Sequence, residues 1–132
     1  MKIDVMEASQ EEAWRDRSRP AIRRIAFVSG GMGGIGSAIC RRFAQSGHTV
    51  VAGCLPGYEK KKGWLDAMGA EGFRVHAAGG DVADFDSCAG MFYSIRSVVG
   101  PIDILVNNAG ITRDSVFKRM TEQDWMAVIN TN

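Results

Sequence analysis

Short apolar runs alternate along this chain with stretches in which apolar residues recur every three or four positions. Runs of the first kind predict β-strands, and recurrences of the second kind predict amphipathic helices. The predicted strands are Ile25–Val28, residues 50–52, the alternating Phe73, Val75 and Ala77, and residues 102–106. The predicted helices carry, in chain order, Ile35, Ile39 and Phe43 up to Gly47; Trp64, Leu65 and Met68; Cys88, Met91, Phe92, Ile95 and Val99 between an Asp84 cap and Gly100-Pro101; and Trp125, Val128 and Ile129 after the capping-box-like residues 121–124.

Strands that alternate with helices of this length predict βαβ units and a parallel sheet with right-handed crossovers. A doubly wound dinucleotide-binding sheet needs about six strands, and the pattern supplies only the first four. The predicted fold class is therefore α/β, a Rossmann-type doubly wound parallel sheet truncated after the fourth strand. Residues 1–20 are expected to form a disordered N-terminal extension, and residues 21–132 the N-terminal part of the dinucleotide-binding domain. The outer edge of residues 102–106 is then expected to be unpaired.

Composition narrows the functional classes. The 132 residues include 16 basic and 15 acidic residues, a net charge of +1, which gives no indication of nucleic acid or an anionic membrane as a partner. Cys40, Cys54 and Cys88 are widely spaced and odd in number, which favours reduced thiols and a cytoplasmic protein. His48 and His76 are isolated, so no metal site is expected.

A glycine-rich segment, residues 28–36, separates the first strand from the first helix. It contains Gly31-x-Gly33-x-x-Gly36, and strand, turn and helix in that order are what pyrophosphate binding at a helix N-terminus requires. The alternative is a glycine-rich turn without a ligand. A P-loop is excluded because Ser37, and not a lysine, follows Gly36.

The end of the second strand indicates which dinucleotide binds. An acidic residue there would bind the ribose 2′-hydroxyl of NAD, but this chain has Gly53-Cys54-Leu55. Lysines follow at residues 60–62. The combination favours NADPH as the cofactor, with a merely solvated lysine run as the alternative.

Three motifs resemble those of the short-chain dehydrogenase/reductase family. Ser29-Gly30-x-x-x-Gly34-Ile35-Gly36 is similar to its TGxxxGIG motif with Ser in place of Thr; Asp81-Val82 and Asn107-Asn108-Ala109-Gly110 match its adenine contact and its NNAG motif. The resemblance, which covers residues 24–132, implies a set of cofactor-binding residues: Ser29, Gly30, Gly34, Ile35, Gly36, Asp81, Val82, Asn108, Ala109 and Gly110.

The resemblance also implies roles. Asp81 would accept a hydrogen bond from the adenine amino group, with a plain helix-entry turn as the alternative, and Gly110 would let the ribose approach. Asn132 matches the catalytic Asn of the Asn-Ser-Tyr-Lys tetrad, which in the family holds a water of the proton relay. In the family the Ser, Tyr and Lys follow this Asn, so they are absent here: Tyr58 has Lys62 four residues on, but both precede Asn132, and Tyr93 has no lysine at that spacing.

Within this family the chain is most similar to acetoacetyl-CoA reductases of polyhydroxyalkanoate synthesis, through residues 30–36, 50–54 and 108–114. This implies an NADPH-dependent reductase of a small-molecule 3-ketoacyl thioester, of which the chain carries the cofactor-binding half. The full-length parent is expected to be a homotetramer, and this fragment to self-associate. The alternatives are a 3-oxoacyl-carrier-protein reductase, a non-catalytic dinucleotide-binding module, and an extended sugar-nucleotide epimerase, which the NNAG motif and the missing acid disfavour.

Overall fold

The computed structural model describes residues 22–132, so the predicted extension at residues 1–20 lies outside the described residues. The elements are β1 (Ile25–Val28), α1 (Gly34–Gln45), β2 (Thr49–Cys54), α2 (Lys61–Ala70), β3 (Val75–Gly79), α3 (Phe85–Val98), β4 (Ile104–Val106), a short 3₁₀ turn (Phe117–Arg119) and α4 (Glu122–Thr131). None of the helices within this range is long and apolar enough to cross a membrane.

The four strands form one parallel sheet in the order β3-β2-β1-β4. Consecutive strands move outward from β1 to β3, and the chain then crosses back so that β4 pairs with the other side of β1. The strand order therefore reverses between β1 and β4, as in the first half of a doubly wound sheet. The predicted fold class is confirmed.

Two strands begin later than predicted. Phe73 precedes β3, because its amide donates to the Met68 carbonyl (3.0 Å) and thereby belongs to the turn that ends α2. β4 begins at Ile104, two residues later than predicted. Just before it, Asp103 exchanges hydrogen bonds with the first residue of β1: its carboxylate accepts from the Ile25 amide (2.8 Å), and its own amide donates to the Ile25 carbonyl (2.9 Å).

The predicted helix ends agree well with the structure. The Asp84 carboxylate accepts from the Ser87 amide (2.7 Å), and the Thr121 hydroxyl accepts from the Asp124 amide (3.1 Å), so both residues are N-caps. Gly47 follows α1 with a φ of +83° and donates to the Ala44 carbonyl (3.0 Å). A glycine in this left-handed conformation ends many helices because it has no Cβ to clash.

The sheet is covered on both faces. One face packs under α1 and α2 through a buried cluster, and the other packs under α3 through a second one. Alternate residues of a strand point to opposite faces, so neighbours in β1 and β2 enter different clusters. The first cluster contains Val28, Cys40, Val50, Ala52 and Met68; the second contains Phe27, Val51, Met91 and Ile95.

The β4 side of the sheet is open. Among residues 22–132, β4 pairs only with β1, and Leu105 is 55% exposed. Helix α4 has no buried residue, and its Trp125 and Ile129 are 52% and 58% exposed. The prediction that the described sheet ends at this strand is confirmed.

Candidate functional site

A cleft lies across the carboxyl ends of the strands, at the point where the strand order reverses. It consists of two adjoining cavities of about 460 and 490 Å³. In open α/β sheets this crevice is where ligands bind. Both cavities are lined by the same central residues: Gly30, Gly53, Cys54, Leu55, Ala109 and Gly110.

The glycine-rich segment forms one wall of the cleft. Gly30 has a φ of +61°, which favours glycine, and the Gly31 amide donates to the Gly53 carbonyl (3.0 Å). A Cβ on Gly36 would lie 2.8 Å from the Gly31 Cα and 2.9 Å from the side-chain nitrogen (Nδ2) of Asn108, so a side chain does not fit there. The absence of Cβ atoms thus lets the loop fold tightly against the start of α1.

Helix α1 begins in this wall with its first amides unpaired within the helix. Its N-cap is Gly33, no side chain caps it, and its first turn holds no acidic residue. Gly34, Ile35 and Gly36, the first three helical residues, line the second cavity. Amides at a helix N-terminus combine free donors with the positive end of the helix dipole, and this arrangement stabilises an anion.

Ser29 and Asn108 join the carboxyl ends of β1 and β4. The buried Ser29 hydroxyl accepts from the amides of Asn108 and Ala109, both at 2.9 Å. The Asn108 side chain donates back to the carbonyls of Ser29 (3.0 Å) and Gly30 (3.2 Å). The structure therefore brings the first and third motifs together into one hydrogen-bonded unit beneath the cleft.

Asp81 and Val82 lie in the wall opposite, at the end of β3, and line the first cavity. The Asp81 Oδ1 accepts from the Ala83 amide (2.9 Å), and the Asp81 amide donates to the Ser87 hydroxyl (2.9 Å). The carboxylate therefore shapes the entry to α3 with one oxygen. Its Oδ2 has no hydrogen-bond partner within residues 22–132.

The end of β2 contributes a thiol and no carboxylate. Burial raises the pKa of the half-buried Cys54 thiol, and the nearby Lys61 ammonium opposes this by lowering that pKa. Lys62 is instead paired with Asp66 (2.7 Å), and residues 60–62 are absent from the lining of either cavity. Lys61 is therefore the lysine of this run whose charge acts on a residue that lines both cavities.

Asn132 reaches back to the loop after β4. Its side-chain oxygen accepts from the Ile111 amide (2.9 Å), and its side-chain nitrogen donates to the Ile111 carbonyl (3.2 Å). Both groups of the side-chain amide are thus used to hold the loop that carries Gly110. Of the two tyrosines considered as proton donors, Tyr58 lines the second cavity, whereas Tyr93 lines neither and is 75% exposed on α3.

Sequence reasoning missed several residues of the cleft. Gly53 was noted only for carrying no carboxylate, yet it lines both cavities, and a Cβ there would lie 2.7 Å from the Phe27 ring. Arg113 lines the first cavity and approaches the Asp124 carboxylate at 3.8 Å. Thr131 of α4 lines the same cavity. A glycine at a strand end is a signal that could have identified Gly53, whereas Thr131 depends on how α4 packs.

Comparison with known proteins agrees with this geometry. A family model described as short chain dehydrogenase matches residues 24–132. The chain is 54% identical over 110 residues to an acetoacetyl-CoA reductase of Cupriavidus necator, covering 83% of this chain and 45% of that protein. It is 39% identical over 107 residues to a 3-oxoacyl-[acyl-carrier-protein] reductase of Staphylococcus aureus, covering 81% of this chain and 44% of that protein.

Among solved structures, a putative short-chain dehydrogenase from Novosphingobium aromaticivorans superposes with a TM-score of 0.76 at 27% identity, over 81% of this chain and 39% of that one. The chain thus spans less than half the length of the curated relatives it matches. A matched family model over nearly all described residues, with the strand order and the cleft at the reversal point, establishes that this chain belongs to the short-chain dehydrogenase family.

Proposed function

We propose that this chain is the cofactor-binding half of an NADPH-dependent reductase of 3-ketoacyl thioesters. The observation that carries the proposal is the glycine-lined start of α1, which opens into a cleft at the strand-order reversal. The membership of the family supports a nicotinamide dinucleotide and oxidoreductase chemistry.

The residues present fit a dinucleotide. The amides at the start of α1 would bind the pyrophosphate, since the space beside Gly34 is open and no acidic side chain lies in the first turn. Asp81 Oδ2 would accept from the adenine amino group, and Gly110 would lie against a ribose. When bound, the reduced nicotinamide supplies the hydride. Asn132 keeps the Gly110 loop in place through Ile111.

The preference for NADPH over NADH is proposed on the basis of the charged side chains around the cleft. Asp81 is the one carboxylate that lines the two cavities, and it lies at the end of β3, not of β2. A 2′-phosphate near Cys54 and Leu55 would therefore meet no negative charge from β2, and Lys61 would attract it. A lysine acts on phosphate as a point charge.

The substrate proposal rests on the relatives. Acetoacetyl-CoA reductases share about half of the residues compared, which supports reduction of acetoacetyl-CoA to 3-hydroxybutyryl-CoA by the whole protein. The second candidate is reduction of a carrier-protein thioester, which the 39% identical relative supports. A cytoplasmic homotetramer is proposed for the whole protein, and a non-catalytic dinucleotide-binding module stays as the alternative for this chain alone.

Calorimetric titration of the chain with NADPH and with NADH tests which of the two nucleotides binds more tightly. We expect tighter binding of NADPH, and Lys61→Gln should weaken NADPH binding about three- to tenfold while changing NADH little. Lys62→Gln is the matched control, because Lys62 is already paired with Asp66. Tighter binding of NADH by the unmodified chain would refute the preference.

A turnover assay with acetoacetyl-CoA tests whether this chain is catalytically active by itself. The one Tyr-x-x-x-Lys among these 132 residues, Tyr58 to Lys62, lies before Asn132 and not after it as in the family, and its lysine is paired with Asp66. A missing general acid typically costs about 10²–10⁴ in rate. We therefore expect no reduction of acetoacetyl-CoA by this chain above the rate without protein. Rates on CoA and carrier-protein thioesters, measured on a full-length relative of this chain with the tetrad intact, would separate the two substrate classes.

A further inference from the structure

Helices α1 and α2 lie over the same face of the sheet and are joined by two side-chain links among residues 22–132. At the end far from the cleft, the exposed Arg41 guanidinium donates to both carboxylate oxygens of Glu71, at 2.7 and 2.8 Å. At the end near the cleft, the indole N–H of half-buried Trp64 donates to the hydroxyl of buried Ser37 at 2.8 Å. The two links join the same pair of helices, but only the second is close to the glycine-rich segment.

The Trp64 link continues into the glycine-rich segment. An indole N–H is a donor only, so the Ser37 oxygen must accept and its own proton stays available. The Ser37 hydroxyl lies 3.5 Å from the Gly31 carbonyl, to which the Cys40 thiol also points at 3.6 Å. Since the Gly31 amide donates to the Gly53 carbonyl, both backbone polar groups of Gly31 have partners.

Trp64 also belongs to the first turns of α2. Its amide donates to the Lys60 carbonyl (3.0 Å), and its ring packs against the cluster that contains Val28 and Met68. The same turn carries Lys61, which lies close enough to Cys54 to act on its thiol. One side chain therefore connects the loop proposed to bind the pyrophosphate with the turn proposed to bind the 2′-phosphate.

We propose that Trp64 is a positioning residue for the dinucleotide. Through Ser37 it sets the Gly31 carbonyl relative to the first turn of α2, so that the α1 amides and Lys61 face one ligand at the correct separation. This inference rests on the proposed function. NADPH contacts both positions and NADH only the first, so the Trp64 link affects the discrimination between the two nucleotides as well as affinity.

Trp64→Phe tests this role, because it removes the N–H donor and retains most of the packed ring. Binding of NADPH should weaken about fivefold, the size of one hydrogen bond, and binding of NADH should weaken less than about twofold. Ser37→Ala should reproduce the effect. The double variant should bind NADPH at most about twofold more weakly than either single variant, because the effects of two residues in one link are not additive. Glu71→Gln removes the charge and one acceptor oxygen of the other link and is the matched control, for which both affinities should stay unchanged.

The outcomes separate the inference from the proposed function. Suppose that the unmodified chain binds NADPH, and that W64F either loses affinity equally for both nucleotides or loses none. That result overturns the positioning role and leaves the proposed function intact. A chain that binds neither nucleotide while its circular dichroism shows a folded protein overturns both. Where W64F unfolds, S37A decides, because it removes only a hydroxyl and fits the existing space. An E71Q variant that loses discrimination as strongly as W64F also overturns the inference, since helix packing alone then explains it.

Discussion

Replacement of Ser29 by alanine isolates the bond that joins the carboxyl ends of β1 and β4. The variant leaves two amides, those of Asn108 and Ala109, without the acceptor they now share at 2.9 Å. An unsatisfied buried amide costs about 1–3 kcal/mol. Both residues are half-buried at the edge of the cleft, so water partly compensates and the lower part of that range applies. The free energy of unfolding should therefore fall by about 2–4 kcal/mol.

Urea unfolding followed by circular dichroism measures this change. With an m-value of about 1–2 kcal/mol per molar, the midpoint should fall by roughly 2 M at unchanged m. Ser29→Thr retains the hydroxyl and should stay close to the unmodified chain. The matched control is Ser46→Ala, because the exposed Ser46 hydroxyl bonds only the Arg42 carbonyl at the end of α1 (3.0 Å) and should change stability by less than about 0.5 kcal/mol. An S29A midpoint that equals that of S46A would refute the reasoning.

Three further outcomes are expected. Gly36→Ala should lower the thermal midpoint, because its methyl group would lie 2.8 Å from the Gly31 Cα, whereas Gly34→Ala meets nothing within 4 Å and should not; equal midpoints would contradict this. Burial raises the pKa of the Cys40 thiol from 9.0 to about 11, so native-state alkylation followed by mass spectrometry should leave Cys40 unmodified, and its contribution to stability should be complete below pH 9 and lost as the pH rises towards about 11. The chain should self-associate through the β4 edge, detectable by light scattering at several concentrations, and Leu105→Lys should reduce this association; a monomer with a concentration-independent melt would argue against it.

The periodicity of apolar residues was sufficient for the strands, the helices and their order, because buried faces impose period 2 or 3.6 on the sequence. It failed at Phe73 and at residues 102–103 for a physical reason. Both segments are apolar enough for a strand. However, the Phe73 amide donates to the Met68 carbonyl at the end of a helix, and the Asp103 carboxylate accepts from the Ile25 amide. A single backbone bond decides such a boundary, and hydrophobic patterning does not report it.

The candidate site was predictable where a motif requires a conformation, as at Gly30 and Gly36. It was not predictable where a side chain bonds to a group that is distant in the sequence. The Asn132 amide meets Ile111, 21 residues earlier, and the Trp64 indole meets Ser37, 27 residues earlier. These contacts depend on how helices pack against the sheet, so the sequence carries no local signal for them.

The two ends of β4 have a consequence for ligand binding. A strand of three residues is too short to keep its register by ladder bonds alone, yet Asp103 attaches one end to Ile25 and Ser29 attaches the other to Asn108 and Ala109. The crevice at the carboxyl ends of β1 and β4 is therefore held at a fixed width by the protein's own hydrogen bonds. A ligand that enters it spends little of its binding free energy on ordering these strands, so association should proceed without a slow conformational phase.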